Sequence, residues 1–172
     1  MSQNEFTRRV LEAEPTLYRI SKSILKNEFD CADAVQETIL RAFQKLNSLK
    51  EEKFFKTWLC RILIHECYRI LKSRKTTVPV SYEEYFKTEP AFESSDIGLY
   101  NAIMQLNEKH RLVITLHYIE GFKTAEVARM LKIPEGTVKS RISRAKSQLR
   151  QLLKEENPNE TTKMGRYIPR SI

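Results

Sequence analysis

The sequence predicts an all-α protein made of two small helical domains joined by a flexible linker. Apolar residues recur at helical spacing on both sides of a long interruption, and the interruption itself, 76–96, contains two prolines and no helical period. The last helical stretch adds the pattern of a helix-turn-helix. We therefore predict an N-terminal domain over 1–75, an acidic linker over 76–96, a helix-turn-helix domain over 97–155 and a disordered tail over 156–172.

Two helices open the predicted N-terminal domain. The first runs from Glu5 to Lys26, with Pro15 as a break or a first-turn residue. The second begins at Asp30, whose carboxylate can cap the free amides of the first turn, and extends to about Leu46. Its apolar side, which we expect to face the core, contains Ala34, Val35, Ile39, Ala42 and Phe43.

The third predicted helix, from about Glu52 to Lys72, carries a polar stripe with an aromatic residue at its head. The stripe follows spacings of three and four residues: Trp58, Arg61, His65, Arg69 and Lys72. Bases of single-stranded nucleic acid stack on aromatic rings while their phosphates follow basic side chains. The alternative is that Trp58 packs between helices, because it lies close to Phe54 and Phe55 in the sequence.

Helical periodicity resumes at Ile97 and predicts two helices that supply the core of the C-terminal domain. The first has Leu99, Ile103 and Leu106 on one face. Asn107 is a suitable cap for the second helix. The apolar positions expected to be buried on that second helix are Leu112, Val113, Leu116 and Ile119.

The segment 121–153 has the pattern of a helix-turn-helix. Its first helix has small or apolar residues on the inner side, namely Val127, Ala128 and Leu131. Pro134 cannot continue that helix, and Gly136 tolerates the conformations needed where the next one starts. This turn chemistry separates two helices that we expect to pack closely.

The second helix of this motif is predicted to place a basic face on its outside. Its inner face repeats at helical spacing: Val138, Ile142, Ala145, Leu149 and Leu152. Its opposite face carries short hydroxyls and basic side chains: Ser140, Ser143, Arg144 and Ser147, flanked by Lys139, Arg141 and Arg150. Such a face suits phosphates and base edges in a major groove. The alternative is a solvated basic helix on an all-α core.

The charge distribution points to a polyanionic partner. The net charge is +8 with a pI near 9.4. Between 121 and 154 there are nine Lys or Arg against two Glu, whereas 76–96 has five acids against one Lys. No apolar run approaches the roughly 18 residues needed to span a bilayer, and the N-terminus lacks a signal-peptide pattern. We expect a cytoplasmic protein without membrane insertion.

The sequence does not predict an enzyme, a metal site or a cofactor. Its three cysteines are an odd number without framework spacing, so we expect reduced thiols. On one helix, Cys60 and Cys67 lie about 10 Å apart and His65 points elsewhere, which does not suit zinc. There is no glycine-rich phosphate loop, nucleophile elbow or cluster of metal ligands. No residue is predicted to be catalytic.

Residues 5–155 resemble bacterial sigma factors of the extracytoplasmic function (ECF) group. In the C-terminal half, LNEKHRLVITLHYIEGFKTAEVARMLKIPEGTVKSRISRAK is similar to the family's fourth region. In the N-terminal half, DCADAVQETILRAFQKL and FKTWLCRILIHECYRILKSRK are similar to consecutive helices of the second region. Asn107, Lys123 and Lys132 depart from the family's usual Pro, Ser and Gly, and Thr124 is an alternative cap for the first helix of the motif.

The resemblance implies three binding surfaces. The residues matching the contact with core RNA polymerase, through the clamp helices of its largest subunit, are Asp33, Gln36, Glu37 and Arg41. Those matching the site for the melted −10 strand are Trp58, Arg61, His65, Arg69, Lys72, Arg74 and Lys75. Those matching the −35 recognition site are Glu135, Thr137, Lys139, Ser140, Arg141, Ser143 and Arg144. The polymerase flap is a further implied contact.

The function implied by the resemblance is promoter-specific initiation of transcription, in response to envelope or extracellular stress. An anti-sigma factor is the implied regulator. One alternative is a stand-alone helix-turn-helix regulator that binds duplex DNA. Such a regulator would not need the second predicted helix, which contains the VQE run at 35–37. Another is a DNA-processing enzyme, which would need a nucleophile or clustered carboxylates on ordered elements.

Overall fold

The computed structural model describes residues 1–76 and 97–156; most of the predicted linker and tail lie outside this range. The described residues form seven α-helices: α1 (Gln3–Leu25), α2 (Glu28–Gln44), α3 (Phe55–Thr76), α4 (Ile97–Gln105), α5 (Glu108–Ile114), α6 (Thr124–Leu131) and α7 (Glu135–Glu156). Short 3₁₀ turns at Leu46–Ser48 and Glu52–Phe54 connect α2 to α3, and a π-helical turn, Thr115–Ile119, extends α5. No strand occurs in these two ranges, so the predicted all-α class is confirmed.

Helix α1 is continuous through its proline. The Ser2 hydroxyl caps its start by accepting a hydrogen bond from the Glu5 amide at 3.2 Å. Pro15 lies inside the helix, far from its first turn, so both predicted roles, a break or a first-turn residue, are wrong. A proline there leaves the carbonyl of Leu11 without its helical donor, but Leu11 is 62% exposed, and water can reach that part of the helix.

Helix α2 begins two residues before the predicted cap. The Asn27 side chain caps it by accepting a hydrogen bond from the Asp30 amide at 3.1 Å. Asp30 lies within the first turn, is buried and contacts Arg74, with 2.5 Å between Oδ1 and Nη2. The prediction of Asp30 as the cap is therefore wrong, because a better-placed amide side chain precedes it.

Helix α5 has its predicted cap but not its full predicted apolar face. The Asn107 side chain accepts a hydrogen bond from the His110 amide at 3.0 Å, which confirms the cap. Ile119, predicted to be buried, is 47% exposed. The cause is the π-helical turn, which adds a residue to the turn and rotates the residues at its end away from the helical register.

The entry to the helix-turn-helix does not use Thr124 as a cap. Lys123 is the N-cap residue, and its backbone amide donates a hydrogen bond to the Glu126 carboxylate at 2.9 Å. Thr124 is the first helical residue, and its hydroxyl donates to Glu135 Oε1 at 2.8 Å. At the turn, Lys132 adopts a left-handed conformation with φ of 53°, which costs a non-glycine residue about 1 kcal/mol or more.

The two helical domains share one core. Helices α1, α2 and α3 pack on one another, α1 also packs against α5, and α3 also packs against α6. Leu17 and Leu63 from the first domain and Leu116 and Val127 from the second have no exposed surface and belong to one apolar cluster. A second cluster, which includes Ala102, Ile114 and Leu149, joins α4, α5 and α7. Sequence periodicity predicted these faces but not that they meet.

The cysteines are small buried residues. All three are free, and burial raises the pKa of Cys31 to about 11, that of Cys60 to about 12, and that of Cys67 further above its ordinary range. In the part of the chain that the structure describes, no group of three or more His, Cys, Asp or Glu side chains is arranged to hold a metal ion. Nor does any helix over 1–76 and 97–156 have the length and apolar content to cross a membrane.

Candidate nucleic-acid and polymerase interfaces

Helix α7 buries one face and turns its basic face outward, as its sequence pattern predicts. Val138, Ile142, Ala145 and Leu149 are at most 7% exposed. The residues predicted to recognise the −35 element therefore lie on the accessible side of α7. Four of them are exposed, namely Lys139, Ser140, Ser143 and Arg144, and three are partly buried, namely Glu135, Thr137 and Arg141.

Glu135 joins the two helices of the motif. Its Oε1 accepts the Thr124 hydroxyl of α6 at 2.8 Å and lies 3.1 Å from the Lys139 ammonium one turn later. The hydrogen bonds from Thr124 and Lys139 lower the pKa of Glu135 below its ordinary value, so it is ionised at neutral pH. A carboxylate in the first turn of α7 also suits the helix dipole. Glu135 therefore connects α7 to α6 and also belongs to the predicted −35 recognition site.

The polar stripe of α3 lies on the surface, with its aromatic head half-buried. Trp58 packs beside Phe55, with 6.0 Å between ring centroids. The packing alternative is therefore partly met, since the ring contacts the core. The ring also lines an open groove, and its stacking with a base stays a prediction. Arg61, His65 and Lys72 are exposed along the same helix.

Two of the predicted −10 arginines form ion pairs within the domain. Arg69 donates to Glu66 at 2.6 Å, and Arg74 contacts Asp30, as described above. The Lys75 side chain lies outside the described residues.

Glu66 is a buried centre of this surface that the sequence patterns did not identify. Its side chain is 1% exposed, and it lies 3.1 Å from Arg41, 3.2 Å from His65 and 2.6 Å from Arg69. Burial acts to raise the pKa of Glu66, but hydrogen bonds from Arg69 and His65 and the charge of Arg41 outweigh it, so the pKa lies below its ordinary value. The signal in the sequence was a single acid within a basic helix, three residues before Arg69.

The predicted polymerase-binding residues lie on one side of α2. Asp33 and Gln36 are exposed, and Glu37 pairs with Arg41 at 2.7 Å. Arg41 therefore bridges Glu37 on its own helix and Glu66 on α3. The structure brings these four residues onto a surface that α3 holds in place.

An apolar stripe on α2 accompanies these polar residues and was not predicted. Phe29, Leu40 and Phe43 are 70%, 52% and 48% exposed, and their spacing puts them near Gln36 on the outer face. Phe43 was expected in the core; instead, about half of its surface is exposed, and its ring contacts Phe6, with 5.5 Å between ring centroids. Large apolar side chains exposed along one helix face indicate a protein contact.

A groove between the domains is lined by residues of both predicted DNA-binding surfaces. Its volume is about 690 Å³. Trp58, Arg61 and His65 of α3 line one side, and Lys132 and Arg141 of the helix-turn-helix line the other. Three predicted −10 residues and one predicted −35 residue, Arg141, thus line a common space.

Comparisons with known proteins agree with this architecture. Region 2 of the sigma-70 family matches residues 10–77, and region 4 of that family matches residues 97–149. The ECF RNA polymerase sigma factor SigM of Mycobacterium tuberculosis is 30% identical over 139 residues, which cover 80% of this chain and 71% of that protein. RNA polymerase sigma factor SigV of Bacillus subtilis is 27% identical over 150 residues, covering 86% and 90%. The chain belongs to the ECF group of RNA polymerase sigma factors in the sigma-70 family.

Two solved structures share the fold across both domains. The sigma factor RpoE of Bartonella quintana, solved with the anti-sigma factor NepR, superposes with a TM-score of 0.71 at 27% identity, covering 87% of this chain and 97% of that one. CnrH, solved with the cytosolic domain of CnrY, gives a TM-score of 0.67 at 23% identity, covering 90% and 91%. The second likeness concerns the fold alone.

Proposed function

We propose that this chain binds core RNA polymerase, directs it to specific promoters and starts transcription there. The observation that carries the proposal is the outward basic face of α7 in a chain that also carries the α2 surface. A stand-alone helix-turn-helix regulator has no use for that second surface, and the comparisons do not favour it.

In this proposal, each surface has one task. The first turns of α7 enter the major groove of the −35 element, where Arg141 and Arg144 can donate paired hydrogen bonds to guanine. The groups along α3 hold the melted −10 strand, with a base on Trp58 and phosphates near Arg61 and Lys72. Arg69 and Arg74 also contact the −10 strand in this proposal. Their ion pairs with Glu66 and Asp30 hold the two guanidinium groups in position.

The polymerase surface of α2 combines Asp33, Gln36, Glu37 and Arg41 with the apolar stripe. The stripe supplies area that binding can remove from water, and the charged groups set the orientation of the contact. In this proposal, the α2 surface binds the clamp helices of the largest subunit of polymerase. The C-terminal domain makes a second contact, with the polymerase flap.

The chain itself performs no covalent chemistry in this scheme, because polymerase forms the phosphodiester bonds. Its place is the cytoplasm, since it must meet both polymerase and the chromosome. We further propose that an anti-sigma factor restrains it and that a stress at the cell envelope or outside the cell releases it. If copurification under non-inducing conditions recovered only free protein and polymerase, this regulatory part of the proposal would be abandoned.

The test is a pulldown of the purified protein with bacterial core polymerase, followed by transcription from a promoter library. Binding to core together with new, sequence-selective start sites is the expected result, and the selected promoters define the motif. Tight duplex binding without affinity for core would overturn the proposal and favour a conventional regulator.

A further inference from the structure

Glu135 is the only acid among the seven residues matched to the −35 recognition site. It is the first residue of α7, and the first turns of a recognition helix contact base edges. Its side chain is 42% exposed and ionised at neutral pH, so it accepts hydrogen bonds and donates none. Phosphate groups repel such a carboxylate. The partner of Glu135 on DNA must therefore be a hydrogen-bond donor on a base.

The two oxygens of this carboxylate have different surroundings. Oε1 accepts the Thr124 hydroxyl at 2.8 Å and lies 3.1 Å from Lys139 Nζ. Within 1–76 and 97–156, no group forms a hydrogen bond or an ion pair with Oε2. Thr124 and Lys139 therefore hold the carboxylate by one oxygen and leave the other oxygen for an incoming donor.

The major groove offers two donors to such an oxygen, the N4 amino group of cytosine and the N6 amino group of adenine. Beside the adenine amino group lies N7, an acceptor that would face the carboxylate. Cytosine carries no acceptor at its edge in the major groove. Cytosine N4 is therefore the better partner for Glu135.

Lys139 extends this recognition to the other base of the pair. It lies one turn after Glu135 on the same side of α7, and its side chain is 60% exposed. Its ammonium has three donors, so it can contact Glu135 and a base together. In a C·G pair, cytosine N4 and guanine O6 are joined by a hydrogen bond of about 2.9 Å. The 3.1 Å between Glu135 Oε1 and Lys139 Nζ presents an acceptor and a donor at a matching separation.

The same two side chains disfavour the other base pairs. An A·T pair also has a donor beside an acceptor, but adenine N7 then faces the carboxylate and the thymine methyl group lies beside the ammonium. Turning either pair around places an acceptor, guanine O6 or thymine O4, against the carboxylate. Guanine in the C·G orientation instead offers the ammonium two acceptors, O6 and N7.

Thr124 anchors Glu135 from the neighbouring helix. It is the first residue of α6 and is partly buried, and its hydroxyl reaches Glu135 across the turn. A glutamate side chain has several rotatable bonds, and a fixed partner on a second helix restricts them before DNA binds. Thr124 therefore acts through Glu135 and does not itself contact a base.

We propose that Glu135 and Lys139 recognise one C·G base pair of the −35 element and that Thr124 is a positioning residue for this contact. Glu135 accepts a hydrogen bond from cytosine N4, and Lys139 donates to the paired guanine. The inference rests on the proposed function, because it concerns the same face of α7. It goes further by naming the base pair and by adding Thr124 to the residues that determine specificity.

The test is a selection of duplexes by the full chain from a pool with a randomised central segment, with and without core polymerase. Sequencing of the bound duplexes gives the preference among the four base pairs at each position. The variants are Glu135→Gln, Lys139→Ala, Thr124→Val and Thr124→Ser. Controls at exposed positions of α1 make the same changes or remove one positive charge: Glu12→Gln, Thr7→Val and Arg8→Ala. Circular dichroism verifies that each variant keeps its helical content.

We expect the unmodified protein to prefer C·G about tenfold at one position of its selected motif. Glu135→Gln should shift the preference at that position to adenine, because an amide can donate to N7 and accept from N6. Lys139→Ala should weaken the preference for C·G at the same position. Thr124→Val should reduce it about threefold, whereas Thr124→Ser keeps the hydroxyl and should retain it. The controls should leave the selected motif unchanged.

Several results would overturn the proposal. Equal weakening of all four base pairs by Glu135→Gln would make Glu135 a structural residue of the turn. Effects of Glu135→Gln and Lys139→Ala at different positions would show that they do not recognise one base pair. An unchanged preference in Thr124→Val would remove Thr124 from the positioning role.

Failure of this inference is distinguishable from failure of the proposed function. A C·G preference that depends on Glu135, without any binding to core, would overturn the proposed function and leave the inference standing. Selection of a motif by the core-bound protein without that preference would overturn the inference and leave the proposed function standing.

Discussion

The guanidinium of Arg41 on α2 lies 3.1 Å from the carboxylate of Glu66 on α3. Glu66 is almost fully buried, whereas Arg41 is about one-third exposed and also contacts Glu37 on the outer surface. The predicted polymerase surface is therefore connected to the interior of the N-terminal domain through one arginine. The contact between Arg41 and Glu66 therefore contributes both to the stability of the N-terminal helices and to the position of Arg41 on the predicted polymerase surface.

The first prediction concerns the stability contribution of Glu66. Glu66→Gln removes the negative charge shared by Arg41, Arg69 and His65, and we expect it to lower the free energy of unfolding by about 1–3 kcal/mol. Urea denaturation followed by circular dichroism measures this change. The control Glu12→Gln removes an exposed partner of Arg8 and should change it by less than about 0.5 kcal/mol. Equal effects of the two substitutions would contradict the central role of Glu66.

The second prediction is the pH dependence of that contribution. The pKa of Glu66 in the folded protein lies below its ordinary value of 4.5, which approximates the unfolded state. The stabilisation is therefore complete above pH 4.5 and is lost as the pH falls through the folded pKa, because the unfolded state then binds more protons. The difference in unfolding free energy between the unmodified protein and Glu66→Gln should shrink below pH 4.5. A difference that grows on acidification would contradict the sign.

The third prediction separates DNA binding from polymerase binding. Arg144→Ala and Arg141→Ala should each weaken binding to the −35 duplex by about 1–3 kcal/mol, since each removes a donor to base edges. Affinity for core polymerase should not change, because both side chains belong to the face of α7 that is assigned to DNA. Fluorescence anisotropy with the selected duplex and with labelled core measures the two affinities. Arg8→Ala is the control for loss of one positive charge, and loss of core binding in Arg144→Ala would contradict the division of tasks.

How far the sequence predicts this structure depends on the distance over which each interaction acts. The Val138 and Ile142 face and the Asn107 cap were predictable, because helical spacing and capping are decided within a few residues. The cap of α2 was misplaced because two candidates, Asn27 and Asp30, lie only three residues apart. The position of Ile119 could not be foreseen because the π-helical turn departs from the regular period.

The contacts between elements were less predictable. Arg19 and Glu120 are separated by 101 residues, and nothing in their local sequences indicates that they pair. The same holds for the pairing of Glu66 with Arg41 of α2. Periodicity shows that a face is apolar but not which other face covers it, so two cores were predicted where one is continuous.

The fourth prediction tests the polymerase surface of α2. Glu37→Lys reverses a charge beside Arg41 and should prevent assembly with core while the full chain still binds duplex DNA. Glu14→Lys, at an exposed position of α1, is the control for the same charge change. Size-exclusion chromatography with core measures assembly. Normal assembly of Glu37→Lys would remove α2 from the polymerase contact.

Leu40→Ala tests the apolar part of the same surface. Leu40 is 52% exposed, so the substitution should leave the unfolding free energy within about 0.5 kcal/mol while weakening the affinity for core. A loss of stability without a loss of affinity would instead make Leu40 a packing residue of the bundle.

The last prediction concerns the turn between α6 and α7. Lys132 adopts φ of 53° and ψ of 44°, a conformation that glycine adopts without the steric cost of a Cβ atom. Lys132→Gly removes that cost but increases the conformational entropy of the unfolded chain, and we expect a net gain in unfolding free energy of about 0.5–1 kcal/mol. Arg150→Gly, at an exposed position within α7, should lower it by about 1 kcal/mol, because glycine disfavours a helix interior. Thermal and urea denaturation of the two variants measure this contrast, and destabilisation by both would show that the Lys132 side chain contributes more to the turn than its backbone conformation costs.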